Sequence, residues 1–181
     1  MEYLSLAGLR QDGRRCNEMR RLRIQLGLFS KVHGSAYVEQ GNTKVMAVIH
    51  GPRELQNGRG EESAILSVNV LQVAFASMDR SKSAGGFKKD RTTMEYTAQV
   101  SELCNALILR HLYPKTQIDI VVEIIQNDGN CMATCINAAV LACINAGIAI
   151  RDFMIACNAG ILEGQYMMGK FYLLLANERC M

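Results

Sequence analysis

Several things are scarce in this chain of 181 residues, and each scarcity closes off a class of protein. Proline occurs twice, at Pro52 and Pro114, and no low-complexity tract, Ser/Pro-rich linker or internal repeat divides the sequence. One compact domain spanning 1–181 is therefore the expectation. No apolar run approaches the roughly 18 uninterrupted residues needed to cross a bilayer. The opening MEYLSLAGLRQDGRR lacks the charged-then-apolar order of a secretory leader, so an intracellular, soluble protein without membrane partners is expected. His33, His50 and His111 stand apart from any serine or cysteine motif, which leaves no nucleophile and base to pair. A strong charge bias is missing too. The net charge is +3 and the pI near 8.5, below the value of about 9 that marks a nucleic-acid binder by composition alone, so any RNA contact must come from local clustering.

What is present is apolar material. Hydrophobic residues make up 49% of the chain, enough to bury roughly 70% of the surface the unfolded chain exposes. The seven cysteines (Cys16, Cys104, Cys131, Cys135, Cys143, Cys157, Cys180) are odd in number and mostly embedded in apolar runs. That suits reduced thiols in the cytosol or nucleus better than a disulfide framework. Cys131 and Cys135, four apart, would share a helix face, but zinc takes three or four ligands and no histidine has matching spacing, so neither metal nor cofactor is expected. The methionines read as core fillers.

Strand patterns come early: Leu22 to Leu28, Ser35 to Glu39, Lys44 to Ile49, and Ile65 to Ala76, the last with Leu66, Val68, Val70 and Gln72 on one face. Gly41-Asn42 supplies a turn, and Gly51-Pro52 is expected to stop the third strand because proline donates no ladder hydrogen bond. Short connections imply an antiparallel or mixed sheet. From Thr93 to Leu112 the period becomes helical, with Val100, Leu103, Cys104, Leu107, Ile108 and His111 on one face and His111 half-buried at the helix end. Gln117 to Ile125 is a further strand. Asp128-Gly129-Asn130 is a turn whose Asn130 is placed to cap a helix from Cys131 to Ala146, apolar nearly all round and closed by Gly147. Phe153 to Ile161 and Lys170 to Ala176 resemble two more strands. The order predicts an α+β fold with a helix in the interior.

Two features carry candidate chemistry. The stretch DRSKSAGGFKKDR holds Arg80, Lys82, Lys88, Lys89 and Arg91 around Gly85-Gly86, and Arg53 and Arg59 lie in a second basic, glycine-bearing stretch. Clustered cations on flexible loops can clamp phosphates with salt-dependent affinity; a solvated surface loop has the same composition. Asp128-Gly129-Asn130 ahead of a helix can offer backbone N–H groups to an anion, although ordinary strand-to-helix turns look alike.

The segments RQDGR (10–14), GSAYVEQGNT (34–43), GPRE (51–54), QIDI (117–120), AGI (146–148) and RDF (151–153) together resemble the RNase PH family, from about Leu9 to Gly164. The resemblance implies an α+β domain of the ribosomal-protein-S5-domain-2 type, with mixed sheets and helices packed between layers. It also implies assembly with other RNase PH-like subunits into a ring around a channel. In the eukaryotic exosome such rings carry S1 or KH cap subunits and pass RNA to a hydrolytic exoribonuclease, in the nucleus, nucleolus and cytoplasm. The basic residues Arg53 to Arg59 and Arg80 to Arg91 fall where family members line or approach the channel.

Catalytic members of the family hold the attacking phosphate with arginines, which offset charge as one anion approaches another. One such arginine precedes by three residues a glutamate that opens the first long helix; with Glu95 in that role the place holds Thr92, Arg91 being one residue early. The second follows the Asp-Gly turn, and that place holds Met132. Paired metal-binding aspartates follow Gly160 in active members, whereas QYMMGKFYLLLANERCM supplies none. The family continues through more strands and a last long helix, so a short or divergent C-terminal part is expected to leave the helix from Cys131 partly uncovered. The expectation is thus a non-catalytic, RNA-guiding ring subunit. The alternatives are a phosphorolytic enzyme in which Arg91 binds phosphate, and a stand-alone RNA-binding protein.

Overall fold

The structure is a computed structural model that describes residues 9–10, 12–54, 63–76, 87–88, 91–162 and 165–169. Alternation of apolar and polar residues builds β1 (Leu22–Leu26), β2 (Gly34–Gln40), β3 (Thr43–Glu54), β4 (Ile65–Val73), the short β5 (Phe87–Lys88) and β6 (Thr116–Gln126) into one sheet of order β1-β2-β3-β6-β4-β5. Pairing is antiparallel except between β4 and β6, which run parallel, so the sheet is mixed. Helices α1 (Arg91–Leu107) and α2 (Cys131–Asn145) lie on one face, α1 against β4 and α2 across β2 and β3, and they touch each other. A hairpin of β7 (Ala159–Leu162) and β8 (Gln165–Met168) follows.

Strand registers explain the core. Ala36 pairs with Ala47 and Ala47 with Val122, while Val38 pairs with Val45 and Val45 with Ile124, so whole rows of small and β-branched side chains face α2 and are completely or almost completely buried. Burying each valine or isoleucine contributes about 1.5–3 kcal/mol. Gly34 opens β2 under the last turn of α2: a Cβ there would stand 2.5 Å from the Ala142 carbonyl oxygen and 2.6 Å from the Ala146 Cβ, so nothing larger fits. At the end of α2, Gly147 has φ +70°, its N–H bonds the Ile144 carbonyl and the Ile148 N–H bonds that of Cys143, the paired bonds of a Schellman cap.

The structure differs from the sequence reading in several places. β3 does not stop at Gly51-Pro52; it runs on to Glu54 across a register shift between His50 and Arg53, which leaves the proline out of the ladder. β1 ends at Leu26, and Ala74–Ala76 is a 3-10 turn rather than strand. α1 starts earlier and stops at Leu107; Arg110–Leu112 forms a separate 3-10 turn, and His111 is exposed rather than half-buried. Residues 153–158 form no strand. They run as an extended strap along α2, held where Asn137 accepts a hydrogen bond from the Ala156 N–H (2.8 Å) and donates one to its carbonyl (2.9 Å). Ten of the fifteen residues of α2 are buried under the sheet and this strap, a closer cover than the sequence suggested. The strand expected at Lys170 to Ala176 lies outside the described residues.

Candidate phosphate and RNA site

Because β4 and β6 are parallel, their carboxyl ends lie together, and in chain order each is followed by a helix on the same face, α1 after β4 and β5, α2 after β6. β6 enters the turn at 127–130 and then α2. β5 pairs at Gln72 and Val73, the end of β4, just before α1 begins at Arg91. The N-termini of both helices are thereby gathered at one end of the sheet, where their unpaired N–H groups and dipoles favour anions. Crevices beyond the carboxyl ends of parallel strands are common ligand sites for the same reason.

The turn itself is braced from within. The Thr43 hydroxyl, completely buried at the start of β3, donates to the Gly129 carbonyl (2.6 Å) and accepts from the Asp128 N–H (3.2 Å). Arg20, only 6% exposed, donates to the Asp128 carbonyl (2.7 Å) and faces its carboxylate at 3.7 Å. Burial pulls the Arg20 guanidinium down from its ordinary pKa, and the Asp128 charge opposes that. The Gly129 N–H bonds the Asn127 side chain (3.3 Å). Asn130 takes a left-handed backbone (φ 57°) and makes no side-chain cap; its amide nitrogen donates to Gln40 Oε1 (2.6 Å), which also accepts from the Thr134 hydroxyl (3.2 Å). The capping expected of Asn130 is thus replaced by a buried polar knot tying α2 to β2. Two N–H groups that an anion would need, those of Asp128 and Gly129, are occupied by the protein's own oxygens.

Besides Asp128, Gly129 and Asn130, four residues named from the sequence lie at this end. Arg91 stands at the first position of α1, 94% exposed, with its Nε 3.0 Å from the Glu95 carboxylate. Thr92 beside it is half-buried. Met132, in the first turn of α2, is half-buried against the core. Lys88 reaches the same end through its pairing with Gln72. Arg53 does not. Its partner on β6 is Gln117, whereas Gln72 aligns with Ile124, seven residues further along β6 and so about 23 Å away at a strand rise of 3.3 Å. There Arg53 is paired with Asp119, which also accepts from Gln117 Nε2 (2.6 Å). Arg59, Arg80, Lys82 and Lys89 lie outside the described residues.

Sequence reasoning missed Arg20, Thr43 and Gln40, which set the shape of this end. For Gln40 and Thr43 the only signal was polarity at the end positions of strands that otherwise alternate cleanly, and Arg20, which precedes β1, gave none. It also missed Arg10, 8% exposed, which donates to the Met168 carbonyl (2.8 Å) and anchors the β7–β8 hairpin. Among the described residues no group of three or more histidine, cysteine, aspartate or glutamate side chains is arranged to hold a metal ion, and no helix is long and apolar enough to cross a membrane.

Residues 18–149 match the family described as 3′ exoribonuclease family, domain 1 (RNase PH), and the chain belongs to that family. Within it, the chain is similar to the exosome complex component RRP41 of Homo sapiens, 41% identical over 167 residues that cover 91% of this chain and 67% of that protein. The RRP41 homolog of Arabidopsis thaliana is 40% identical over 176 residues, covering 96% and 71%. Among solved structures, rice (Oryza sativa) Rrp46 superposes with a TM-score of 0.79 at 25% identity, covering 95% of this chain and 77% of that one. A structure of the Archaeoglobus fulgidus exosome with RNA bound to the active site shares the fold, with a TM-score of 0.69 at 21% identity and coverage of 91% and 72%. The α+β RNase PH-like architecture expected from the sequence is the one found.

Proposed function

We propose that this chain is a structural, RNA-guiding subunit of the hexameric ring of RNase PH-like proteins in an RNA exosome. It serves 3′-to-5′ RNA processing and degradation, including rRNA maturation and mRNA decay, without catalysing the reaction itself. Its likeness to RRP41 over nearly the whole chain supports the ring assignment. The loss of catalysis rests on the chemistry at the two helix N-termini, where, by the family resemblance and with Glu95 as the glutamate that opens α1, Thr92 and Met132 stand in the places in which catalytic members hold phosphate with arginine. A methionine thioether half-buried against the core cannot neutralise an oxyanion, and a threonine offers one neutral hydrogen bond.

Arg91 is a poor substitute. It points into solvent and is matched by Glu95, so a phosphate there would first have to displace a carboxylate. The partners in this reading are RNA, neighbouring RNase PH-like subunits, S1/KH cap subunits and a separate hydrolytic exoribonuclease, in the nucleus, nucleolus and cytoplasm. The cations of the basic stretches, Lys88 at the helix-end side and Arg53 at the other, guide the RNA backbone by charge rather than by sequence.

The test is incubation of the purified chain with 3′-labelled RNA and inorganic phosphate. No nucleoside diphosphate is expected. Its phosphate-dependent release refutes the non-catalytic reading and restores the phosphorolytic one, whereas a chain that joins no ring subunits in its own cell refutes the ring assignment.

A further inference from the structure

The outer edge of the sheet is built like one half of an interface. β1 has a partner on one side only, β2, and among the described residues nothing pairs with its other side. All five of its residues are exposed. Leu22, Ile24 and Leu26 pair with Gln40, Val38 and Ala36, whose side chains face the helix layer, so the leucines and the isoleucine share that face. α2 covers β2 and barely reaches them, and they remain 47%, 43% and 48% exposed. Proteins blunt such edges with proline, a bulge, or a charge pointing inward. β1 has none of these: its register with β2 is continuous and its helix-side face is wholly aliphatic.

The other face says what kind of strand completes it. Arg23 pairs with Glu39 and Glu39 with Lys44, and the Lys44 ammonium lies 4.0 Å from the Glu39 carboxylate. Across three strands the row reads plus, minus, plus. A fourth strand outside β1 continues the alternation only if it sets a carboxylate opposite Arg23, and Arg21 beside it is exposed as well.

We propose that β1 is a docking edge for an extended segment of a partner protein whose aliphatic side chains cover Leu22, Ile24 and Leu26 and whose acidic side chains face Arg23. This deepens, and rests on, the ring-subunit reading, since a protein that works among other subunits has an occupant for such an edge. Main-chain hydrogen bonds supply affinity and the alternating side chains supply selectivity. A second copy of this chain is a worse match: antiparallel pairing of β1 with itself about Ile24 sets Arg23 opposite Gln25 and leaves the charge unanswered.

The test uses the full chain and two synthetic octapeptides, one alternating valine with glutamate and one valine with lysine, each N-methylated along one edge so that it cannot stack on itself. Hydrogen exchange of residues 22–26 is the readout. The glutamate peptide is expected to slow exchange there and to bind about threefold to tenfold more tightly than the lysine peptide, and Arg23→Glu is expected to reverse that order. Ile24→Pro, checked for folding by circular dichroism, is expected to abolish protection by either peptide. No protection by either peptide, equal binding of both, concentration-dependent dimers that protect β1 unaided, or RNA crosslinks centred on β1 each overturn the proposal. A ring that assembles with β1 still exchanging freely overturns the dock and leaves the ring reading standing. A chain that enters no ring but still selects the glutamate peptide does the opposite.

Discussion

Replacing Thr43 with valine tests whether the turn before α2 is held by hydrogen bonds or by packing. Valine has nearly the same shape and suits a strand equally well, so no cavity opens and β3 keeps its propensity. What disappears is the hydroxyl that joins the Asp128 N–H and the Gly129 carbonyl. Leaving a buried backbone group unpaired costs about 1–3 kcal/mol. Gly129 is buried and bears that cost fully, whereas Asp128 is half-buried and water can relieve part of its own. The expected loss is about 2–4 kcal/mol, a drop of roughly 6–12 °C in melting temperature for a chain of this size. Thr43→Ser keeps the hydroxyl and removes one methyl, for about 1 kcal/mol. Urea denaturation of the three proteins gives the order: wild type, then serine, then valine as the least stable. A valine variant as stable as wild type, or a serine variant weaker than valine, refutes the reasoning, because packing would then decide the site.

Gly34→Ala places a methyl group 2.5 Å from the Ala142 carbonyl oxygen and is expected to cost about 3 kcal/mol or more; native stability in a thermal melt would mean that α2 does not sit on β2 as described. Burial pushes the Cys104 thiol up to about 11 and, helped by nearby Cys104, that of Cys143 up to about 12. Iodoacetamide at pH 8 should therefore modify exposed Cys157 well before these two, with peptide mapping as the check, and equal labelling would contradict the burial. The same raised values keep those thiols neutral in the fold while unfolded ones ionise, so this contribution to stability is intact below about pH 9 and is lost as pH rises through 11–12; denaturant midpoints of Cys143→Ala, compared with wild type over that range, should fall less steeply. Thr92→Arg combined with Met132→Arg returns two cations to the helix ends and should raise affinity for inorganic phosphate by about tenfold or more, weakening with salt; calorimetry showing no gain would place phosphate elsewhere.

The regular parts of the fold were legible because they obey one period each. β2, β6 and α2 were placed within a residue or two since their apolar positions recur every second residue or cover the helix almost completely. Pro52 misled because its missing donor was weighed without the bulge that accommodates it. The 153–158 segment misled because Phe153, Ile155 and Cys157 alternate like a strand, yet what orders the segment is a side-chain clamp from Asn137, more than fifteen residues away along the chain and invisible to any local pattern. The candidate site was half legible. Its turn and its helix ends were read from Asp128 to Met132, but Arg20 and Gln40 come from strands and loops far off in sequence, and only the sheet register brings them to the turn.

The parallel neighbours β4 and β6 also bear on how the chain folds. β1, β2 and β3 can zip together through local hairpins, a seven-residue loop and a two-residue turn, as soon as they exist. β4 has β5 as one neighbour, but no local hairpin joins it to β3, because the strand between them, β6, is made only after α1 and is also the second partner of β3. One strand therefore closes both halves of the sheet at once, and the loop entropy of joining them is met in a single late step. Until β6 arrives, β3 shows two faces and a bare edge, which makes the stretch between them the interval in which a growing chain most needs protection from its neighbours.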